Sequence, residues 1–493
     1  MKPIGGIIGK MNTISITGAQ PANLSDICYD SRKARRHSTF VAIRGTKTDG
    51  HQFIKEAVRK GATTIVAEKT PSIRLPGRVS LIIVPDSRAA LAQLSDYFYD
   101  SPSSSMSVVG VTGTNGKTTV THLLRSIIKA GDKQCGTIGT ITYDLVDEQT
   151  PASKTTPESL DLQRMMKTMV DAGADYCLLE VSSHALSQRR VEKVVFKTAV
   201  FTNLTQDHLD YHQDMEGYFK AKTRLFTDYS PSVSVINADD PFSSRLMAMI
   251  EGQVVTFGLK PGLDVTASDV KIGVDGISMT VATPSGSFQI RSALTGIHNV
   301  YNILAATAVA IEDGFSADIV ALGVENLQSV PGRFEKVDEG QPFTVVIDYA
   351  HTEDALINVL KAARAITKGG LITVFGCGGD RDEGKRPLMG RAALSLSDKV
   401  VVTSDNPRSE APDKIIDDIL KGIDASASPG KEVKVIPERS EAIQAAIKMA
   451  APGDLVLIAG KGHEDYQIIG SRKFPFDDHK EAATAIKQLN EEI

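Results

Sequence analysis

A glycine-rich stretch at residues 110–121, GVTGTNGKTTVT, constrains the fold of this chain more than any other part of the sequence. An apolar run at 107–109 precedes it, and apolar residues at helical spacing, from Leu123 to Ile128, follow it. The pattern predicts a strand, a phosphate-binding loop and a helix, because backbone N–H groups and a helix N-terminus attract anionic oxygens. In such a loop Lys117 reaches the terminal phosphates, and the Thr118 hydroxyl is a ligand of Mg²⁺.

The loop departs from the strict P-loop pattern, because Val111 stands where that pattern has its first glycine. This departure argues against a GTPase or a motor protein. The run Gly-Thr-Asn-Gly-Lys-Thr at residues 113–118 instead resembles the variant loop of the Mur ligases and of their relatives, the folylpolyglutamate synthetases. A solvated turn before an ordinary helix is the alternative, and the strand–loop–helix context disfavours it.

The composition is typical of a globular protein without broad affinity for nucleic acids or membranes. The chain has 493 residues, of which 41% are hydrophobic and 23% charged, and its net charge is −5. This length predicts about three domains, and the charge gives no support for a nucleic-acid or membrane partner. The four cysteines form no C-x-x-C pair, which suits a reducing cytosol and argues against structural zinc. We find no apolar stretch long enough for a signal peptide or a membrane span, so we expect a cytoplasmic protein, and we expect a monomer.

Two breaks divide the chain into predicted domains. The polar segment 100–105 interrupts the periodic pattern, and a second break falls near Val330–Arg333. The predicted domains are residues 1–103, 104–332 and 333–493. We predict an α/β fold, in which the central domain has a parallel sheet with a β-meander at 264–293.

The third predicted domain alternates strands with helices. Its strands are predicted at Thr344–Ile347, Leu371–Phe375, Lys399–Thr403, Glu432–Ile436 and Leu455–Ala459. This alternation predicts a parallel, doubly wound sheet of the Rossmann-like type. Polar clusters follow the strands at Asp348–His351, Gly376–Arg386, Asp405–Arg408 and Gly460–Glu464. Because ligands of such sheets bind beyond the carboxyl ends of the strands, we expect these loops to form one binding face.

The resemblance to the Mur ligases covers nearly the whole chain. Besides the phosphate loop and the polar clusters, the matching stretches are Asp30–Arg32, Thr155-Thr156, Glu180–His184, Thr202–Leu204, Asp207–Tyr211, Lys220–Lys222, His298-Asn299 and Gly332-Arg333. The resemblance implies a first domain that binds a nucleotide sugar, a second that binds ATP and a third that binds an amino acid. The implied reaction is amide formation. ATP phosphorylates a carboxylate of UDP-N-acetylmuramoyl-L-alanyl-D-glutamate, an amine attacks the acyl phosphate, and ADP and phosphate leave.

The resemblance also implies the residues of the ATP site. The ATP-binding set is Gly113, Thr114, Asn115, Gly116, Lys117, Thr118, Thr119, Asn299, Asn302, Arg333, Asp348 and His351. Mg²⁺ is the implied cofactor, and its implied ligands are Thr118, Glu180, His208 and Lys222. The implied catalytic residues are Lys117, Lys222, His208 and Arg333. The pattern supports Glu180 independently, because a carboxylate at the end of an apolar strand is a common way to present a metal ligand in P-loop enzymes.

Lys222 resembles the lysine that this family carries as a carbamate, N6-carboxylysine. CO₂ reacts with a neutral amine, whereas the reference pKa of lysine is about 10.4, so the site must favour the deprotonated form. The alternative interpretation is an ordinary surface lysine on an amphipathic helix.

Two further sets of residues are implied for the other substrates. The set for the UDP-linked dipeptide is Tyr29, Ser31, Thr46, Lys47, Thr48, Lys154, Thr155, Thr156, Ser182, Gln188 and Arg190. The set for the amino acid is Arg386, Asp405, Asn406, Pro407, Arg408, Gly460 and Glu464. The sequence departs from the family at Lys154, where some relatives carry asparagine, and at Thr352, where the family usually has proline.

The run Asp405-Asn406-Pro407-Arg408 matches the family's motif for meso-diaminopimelate. This amino acid differs from lysine by a second carboxylate at its far end. The guanidinium of Arg408 is a rigid donor fork that binds carboxylates bidentately. Glu464 is implied as the partner of the distal ammonium. A lysine-selective enzyme would gain nothing from a cation at this position, so we expect diaminopimelate as the amino acid.

Three other functions remain as alternatives. A folylpolyglutamate synthetase shares the loop and the chemistry, but that resemblance covers only the last two domains. Arg408 disfavours a lysine-adding Mur ligase. A nucleotide-gated binding protein would keep the fold without ligation, and the presence of Lys117, Thr118, Glu180 and Lys222 disfavours it.

Overall fold

A computed structural model of the protein describes residues 2–20, 23–45, 48–424 and 430–492. Three large sheets follow one another along this part of the chain, with helices packed against them. The α/β class predicted from the sequence is confirmed. Within the same ranges, the structure contains no helix whose length and apolar character would carry it across a bilayer.

The N-terminal sheet has five strands in the order β2-β7-β6-β5-β4. All its pairs are parallel except β2 with β7. The strands of this part, including the separate pair β1 and β3, are β1 (Lys2–Pro3), β2 (Ser15–Thr17), β3 (Asn23–Leu24), β4 (Ile27–Cys28), β5 (Thr39–Val41), β6 (Thr64–Ala67) and β7 (Ser80–Ile83). The helices are α1 (Gly5–Ile8), α2 (Ile54–Arg59) and α3 (Ser87–Phe98).

The central sheet has eleven strands in the order β11-β10-β9-β12-β8-β13-β14-β15-β16-β17-β18. These are β8 (Ser107–Thr112), β9 (Cys135–Ile138), β10 (Thr142–Asp144), β11 (Gln149–Pro151), β12 (Tyr176–Glu180), β13 (Thr198–Phe201), β14 (Val233–Asn237), β15 (Gln253–Gly258), β16 (Val265–Gly273), β17 (Gly276–Thr283) and β18 (Gly286–Ser292). The helices are α4 (Lys117–Ala130), α5 (Ser159–Asp171), α6 (Ser183–Ser187), α7 (Leu209–His212), α8 (Met215–Thr227), α9 (Ser243–Met247), α10 (Ile297–Glu312) and α11 (Ala317–Asn326). The six neighbouring strands β9, β12, β8, β13, β14 and β15 are parallel, β10 and β11 add an antiparallel edge, and β16–β18 form the predicted meander.

Strand β8 is buried on both faces. Val109 and Val111 pack with α4 and α10 in one apolar cluster, and Val108 packs with α5 and α8 in another. Its neighbours are parallel, with Glu180 opposite Val111 and Phe201 opposite Thr112. The carboxyl ends of β8, β12 and β13 therefore meet at one edge, where the phosphate loop begins.

The C-terminal sheet has six strands in the order β19-β20-β24-β21-β22-β23. The strands of this part, including the hairpin β25–β26, are β19 (Glu335–Val337), β20 (Thr344–Asp348), β21 (Leu371–Phe375), β22 (Lys399–Val402), β23 (Glu432–Val435), β24 (Leu455–Ala459), β25 (Tyr466–Ile469) and β26 (Arg472–Pro475). The helices are α12 (Glu353–Ile366), α13 (Lys385–Leu396), α14 (Pro412–Leu420), α15 (Arg439–Lys448) and α16 (Asp478–Glu492).

Helices cover both faces of the C-terminal sheet, as a doubly wound fold requires. Along β20, Val346 packs with Leu356 of α12, whereas Val345 and Ile347 pack with Ile443 of α15. This alternation follows from the strand geometry, in which successive side chains point to opposite faces. The predicted parallel strands are all present. Two features are not predicted, namely the antiparallel edge strand β19 and the hairpin β25–β26.

The segment expected to be a linker is packed against the central part of the chain. Pro102–Ser104 form a short 3₁₀ helix, and Ser103 Oγ accepts a hydrogen bond from the Val195 N–H at 3.1 Å. Pro102 and Ser103 are buried. The domain limits at 1–103, 104–332 and 333–493 stay a prediction.

A fully buried ion pair joins α15 to α16. Arg439 Nε and Nη2 donate to the two carboxylate oxygens of Asp478, each at 2.7 Å. The same guanidinium donates to the carbonyls of Ser404 at 3.4 Å and Ala459 at 3.1 Å. Both charged side chains are fully buried. The pair therefore holds the last helix against the ends of β22 and β24.

We expect Arg439→Met to lower the free energy of unfolding by about 3–5 kcal/mol, because it leaves the Asp478 carboxylate buried without a partner. Arg364→Met is the matched control, since Arg364 pairs with Asp398 at 2.8 Å with both side chains well exposed, and its cost should stay below about 1 kcal/mol. Urea unfolding of the full chain, followed by circular dichroism, measures both. Equal losses in the two variants would contradict the prediction.

Candidate active site

Two adjoining cavities lie at the carboxyl ends of the central and C-terminal parallel strands. The first has a volume of about 450 Å³ and lies between the phosphate loop and the residues that follow β20. From the predicted ATP and metal sets it is lined by Thr114, Asn115, Gly116, Lys117, Thr118, Thr119, Glu180, His208, Asn299, Asn302, Arg333, Asp348 and His351. Gly113 and Lys222 belong to those sets but do not line this cavity.

Two glycines shape the phosphate loop. Gly113 (φ +150°) and Gly116 (φ +88°) both have positive φ, and a Cβ atom at either position would overlap the side chain of Thr202 or Asn302. The loop between them is also held by hydrogen bonds. The Asn115 N–H donates to the side chain of Asn203 at 2.9 Å, and Thr202 Oγ1 donates to the Asn115 carbonyl at 2.6 Å. The conformation of the loop is therefore set by the residues that follow β13.

Two lysines, the half-buried Lys117 and the buried Lys222, meet at one carbonyl oxygen. Lys117 Nζ donates to the carbonyls of Gly113 at 2.9 Å and Thr114 at 2.8 Å, and Lys222 Nζ donates to the same Gly113 oxygen at 2.8 Å. Lys222 is 2% exposed, and its ammonium lies over the ring of Tyr218. Burial, reinforced by the charge of Lys117, holds the pKa of Lys222 well below its usual value. This environment favours the neutral amine of Lys222.

Thr118 and Glu180 present oxygen atoms side by side in the first cavity. Thr118 Oγ1 donates to Glu180 Oε2 at 3.0 Å, and the buried Glu180 also accepts from the N–H and hydroxyl of Thr140 at 2.9 and 2.8 Å. A hydroxyl and a carboxylate beside a phosphate loop suit Mg²⁺, which commonly takes one or two carboxylates together with phosphate oxygens. Among the residues that the structure describes, no cluster of three or more His, Cys, Asp or Glu could hold a metal by itself. The residues present therefore fit a magnesium ion that arrives with its nucleotide.

His208 lines both cavities and has an unusual backbone conformation, with φ +55°. Its Nε2 lies 3.3 Å from Asp207 Oδ2, and its ring packs edge-on against His184 with centroids 4.8 Å apart. Burial lowers the pKa of His208. The neutral imidazole, which is the form that binds metals, is therefore favoured at pH 7.

Arg333 reaches the phosphate loop from the start of the C-terminal part. Its Nη2 donates to Thr118 Oγ1 at 3.4 Å, and its guanidinium lies 4.8 Å from the centroid of the Tyr349 ring. Asp348 fixes the turn beside it, because its carboxylate accepts from the N–H groups of Phe334 and Ala350, each at 2.8 Å. Burial raises the pKa of Asp348. The structure thus shows Asp348 bonded to the backbone that carries Arg333.

Buried amide side chains line the first cavity beside the loop. Asn299 Nδ2 donates to the Thr295 carbonyl at 2.7 Å, and Asn302 Nδ2 donates to Asn299 Oδ1 at 2.9 Å. The same cavity is lined by residues that the sequence did not predict, among them Asn237, Phe257 and Tyr301. Asn237 ends β14, Phe257 lies near the end of β15, and Tyr301 lies on α10. No sequence motif marks these three residues.

The second cavity has a volume of about 820 Å³ and opens beside the first. From the predicted amino-acid set it is lined by Asp405, Asn406, Arg408, Gly460 and Glu464. The residues that line both cavities are Asp207, His208, Tyr349, His351, Thr352 and Asp354. Thr352, the departure from proline, caps α12 by accepting from the Ala355 N–H at 3.3 Å.

Opposite charges face each other in the second cavity. Arg408 has φ +54° and donates from Nη1 to the Gly379 carbonyl at 2.8 Å. Asn406 Nδ2 donates to Glu464 Oε2 at 2.8 Å. Burial, followed by the nearby Asp405 carboxylate, raises the pKa of Glu464. A cavity with separate cationic and anionic groups suits an amino acid that has several charges of its own.

Two members of the amino-acid set, Pro407 and Arg386, do not line the second cavity, and Arg386 points away from it. Arg386 is fully buried, and its guanidinium pairs with Glu410 at 2.8 Å and Asp418 at 3.0 Å. It does not line the second cavity, in contrast to the prediction. Arg381, five residues earlier in the same loop, does line it. The difference arises because Arg386 is already in helix α13 and points towards α14.

Several of the residues predicted for the UDP-linked dipeptide form one connected group in the central part of the chain. Thr156 Oγ1 donates to the Glu180 carbonyl at 2.7 Å, Arg190 Nη1 donates to the Thr156 carbonyl at 2.8 Å, and Arg190 Nη2 donates to Gln188 Oε1 at 2.8 Å. Thr155 and Ser182 belong to the same group and line the first cavity.

Four further residues of this set that the structure describes, Tyr29, Ser31, Thr48 and Lys154, line neither cavity. In the N-terminal part, the Tyr29 hydroxyl donates to Asp161 Oδ2 at 2.6 Å and the Ser31 hydroxyl donates to Glu56 Oε2 at 2.7 Å. Thr48 is exposed, and Lys154 lies 3.5 Å from Glu158. Thr46 and Lys47 lie outside the described residues.

Two acidic residues that the sequence did not predict connect different parts of the site. Glu158 is buried and pairs with Arg88 at 3.0 Å and with Arg190 at 3.1 Å. Asp354 of α12 accepts from Asn115 Nδ2 at 3.2 Å and from the Thr205 hydroxyl at 2.8 Å. Each joins residues far apart in sequence, so no local pattern could have indicated it.

The chain matches three family models in succession. They are "Mur ligase family, catalytic domain" at residues 23–99, "Mur ligase middle domain" at 111–310, and "Mur ligase, glutamate ligase domain" at 332–462. Two curated relatives are both named UDP-N-acetylmuramoyl-L-alanyl-D-glutamate–2,6-diaminopimelate ligase. The one from Geobacillus thermodenitrificans is 47% identical and covers 93% of this chain and 94% of its own. The one from Geobacter metallireducens is 46% identical and covers 97% of each. This chain belongs to the Mur ligase family.

Solved structures agree with this assignment. A structure of a UDP-N-acetylmuramoyl-L-alanyl-D-glutamate–2,6-diaminopimelate ligase is 34% identical, with a TM-score of 0.67 over 96% of this chain and 97% of that one. MurF ligase from Thermotoga maritima in complex with ADP is 20% identical, with a TM-score of 0.64 over 95% of this chain and 98% of that one. At that identity the second likeness concerns the fold alone. Members of this family are ATP-dependent amide ligases.

We expect Gly116→Ala to weaken the binding of ADP by at least about tenfold, because a Cβ atom there meets Asn302 and the backbone φ is positive. Gly273→Ala is the control, since a Cβ atom at Gly273 has open space around it. Isothermal titration calorimetry measures both affinities. If Gly116→Ala binds ADP as tightly as the wild type does, the prediction is contradicted, because the loop then tolerates a different backbone conformation.

Proposed function

We propose that this chain is the ATP-dependent ligase that adds meso-2,6-diaminopimelate to UDP-N-acetylmuramoyl-L-alanyl-D-glutamate in the synthesis of peptidoglycan precursors. One observation carries the proposal. A cavity built on a phosphate loop adjoins a cavity whose wall carries Arg408 and Glu464, and the two share six residues. The names of the relatives agree with this reaction. The UDP-linked dipeptide, diaminopimelate and ATP are compounds of the cytoplasm, and we place the enzyme there.

The first cavity activates the carboxylate. A carboxylate does not acylate an amine at neutral pH, so ATP must first convert it to an acyl phosphate. Lys117 and Arg333 neutralise charge on the transferred phosphoryl group, since both lie beside Thr118 at the phosphate loop. Thr118 and Glu180 would hold Mg²⁺, and His208 would position a second ion. When bound, magnesium withdraws negative charge from the phosphate oxygens.

The second cavity selects the amino acid. Arg408 binds the distal carboxylate of diaminopimelate, and Arg381 takes the place that the sequence assigned to Arg386. Glu464 and Asp405 accept the ammonium groups. The attacking amine then faces the residues that line both cavities, where the acyl phosphate is formed.

The dipeptide end of the nucleotide substrate lies along the connected group around Thr156 and Arg190. Thr155 and Ser182 line the first cavity, so this group leads directly to the phosphate loop. The uridine end extends towards Tyr29 and Ser31 in the N-terminal part. In this proposal the uridine end of the first substrate is bound within residues 1–103 and its dipeptide end within 104–332, whereas ATP contacts residues on both sides of the break at 332 and the amino acid is bound within 333–493.

Phosphate release and product formation test the proposed function. The purified protein receives ATP, Mg²⁺ and the UDP-linked dipeptide, together with diaminopimelate, with lysine, or with no amino acid. A separate reaction contains folate and glutamate. We expect a tripeptide product and rapid phosphate release with diaminopimelate alone. Product with lysine or with folate, or phosphate release that is independent of any amino acid, would overturn the proposal.

Arg408→Ala should lower kcat/KM for diaminopimelate by at least about tenfold, because a hydrogen bond to a charged group contributes about 1.5–3 kcal/mol. The ratio of kcat/KM for diaminopimelate over lysine should fall accordingly. Arg391→Ala, on the exposed face of α13, is the control and should leave this ratio unchanged. An unaltered ratio in Arg408→Ala would remove Arg408 from amino-acid selection.

We further propose that Lys222 is carbamylated, because its buried surroundings favour the neutral amine that reacts with CO₂. With ¹³C-bicarbonate at mildly alkaline pH, nuclear magnetic resonance should show a carbamate signal in the wild type and none in Lys222→Arg. Lys220→Arg is a matched control on the same helix, since the side chain of Lys220 is 72% exposed. Retention of the signal in Lys222→Arg, or its absence from the wild type, would refute the modification.

A further inference from the structure

A buried lysine lies behind the charged wall of the second cavity. Lys461 is fully buried and does not line the cavity itself. Its Nζ donates to the Tyr466 carbonyl at 2.6 Å and to Asn406 Oδ1 at 3.2 Å. It also lies 3.3 Å from Asp405 Oδ1 and 3.7 Å from Glu464 Oε2. All four of these partners line the cavity, so one ammonium group contacts much of the wall.

The same lysine belongs to a network that joins two loops and the hairpin β25–β26. Asn406 donates to Glu464 at 2.8 Å, and its Oδ1 accepts from the Ile468 N–H at 2.9 Å. Gln467 Nε2 donates to the Asp405 carbonyl at 2.7 Å. The loops after β22 and β24 are therefore held in one arrangement, with Lys461 at their centre.

We propose that Lys461 is a positioning residue for amino-acid selection, whose ammonium holds the carboxylates of Asp405 and Glu464 in the wall of the cavity and keeps that of Glu464 charged. The inference rests on the proposed function of that cavity. Two carboxylates in a half-buried site repel each other, and without a nearby cation one of them takes up a proton. Lys461 supplies that cation from the side away from the substrate, so the carboxylates remain available to the ammonium groups of the amino acid.

The electrostatic surroundings of Glu464 agree with this role. Burial and the Asp405 carboxylate raise its pKa, whereas Lys461, Asn406 and Arg408 oppose that increase. Other ionisable groups that interact with Glu464 are Tyr349, Tyr466 and Arg439. Loss of the Lys461 charge should therefore raise the pKa of Glu464 further and reduce its charged fraction as the pH falls.

Steady-state kinetics of Lys461→Met test the inference, because methionine keeps the length of the side chain and removes the charge. We expect the KM for diaminopimelate to rise by at least about tenfold, while the KM for ATP changes by less than about twofold. The ratio of the diaminopimelate KM in the variant to that in the wild type should grow as the pH is lowered from about 9 to about 6.5. Lys399→Met is the control, since Lys399 donates to the Met449 carbonyl at 3.0 Å and lies at the opposite end of β22.

The outcomes separate this inference from the proposed function. If the wild type makes no tripeptide with diaminopimelate, the proposed function fails and the inference fails with it. If the wild type is active and Lys461→Met lowers kcat without changing the diaminopimelate KM or its pH dependence, the role is structural and the inference alone is overturned. If Lys461→Met does not fold, Lys461→Gln carries the same predictions, because glutamine keeps a donor and lacks the charge.

Discussion

The convergence of two lysine side chains on the carbonyl oxygen of Gly113 is the interaction on which the rest of the active site depends. Lys117 and Lys222 come from different helices, and Arg333 adds a third cation from the C-terminal part. Positive charge is thus concentrated at the N-terminus of α4, where the helix dipole has the same sign. Such a site is stabilised by anions, and Glu180 together with nucleotide phosphates can supply them. The affinity for phosphate and the low proton affinity of Lys222 therefore have the same physical origin.

The two cavities differ in the arrangement of their charged groups. The first gathers positive charge to receive phosphates, and the second alternates charges to receive an amino acid with ions at both ends. Between them lie Tyr349, His351 and Asp354, which line both cavities. An acyl phosphate formed on one side is therefore within reach of an amine bound on the other. Behind the carboxylates of the second cavity lies the buried Lys461, whose Nζ is 3.3 Å from Asp405 Oδ1 and 3.7 Å from Glu464 Oε2.

Several residues could be placed from sequence because strand ends are local features. Glu180 ends an apolar run, and Arg408 follows β22 within a polar cluster, so the rule for parallel sheets brings both to a ligand-binding edge. Arg386 shows the limit of that reasoning. It belongs to the same cluster as Arg381, but it lies inside α13, and the helix turns its side chain towards Asp418. Only the position where the helix begins decides which of the two arginines lines the cavity.

Contacts between elements that are far apart in the sequence were not predicted, for a related reason. Glu158 pairs with Arg88 and Arg190, and Asp354 accepts a hydrogen bond from Asn115. These partners are too far apart in the sequence for a periodic pattern to predict that they meet. The edge strand β19 and the hairpin β25–β26 were missed as well, because short antiparallel segments carry a weak periodic signal.

The sequence by itself determined the α/β class, the phosphate loop with its lysine and threonine, the meander and the parallel strands of the C-terminal sheet. These follow from local patterns, since apolar periodicity and glycine positions act over a few residues. The tertiary structure decided which side chains share a cavity, which carboxylates contact a buried cation, and which lysine has its pKa lowered by burial. Those properties depend on burial and on distances between charges, and both exist only after remote segments have packed together.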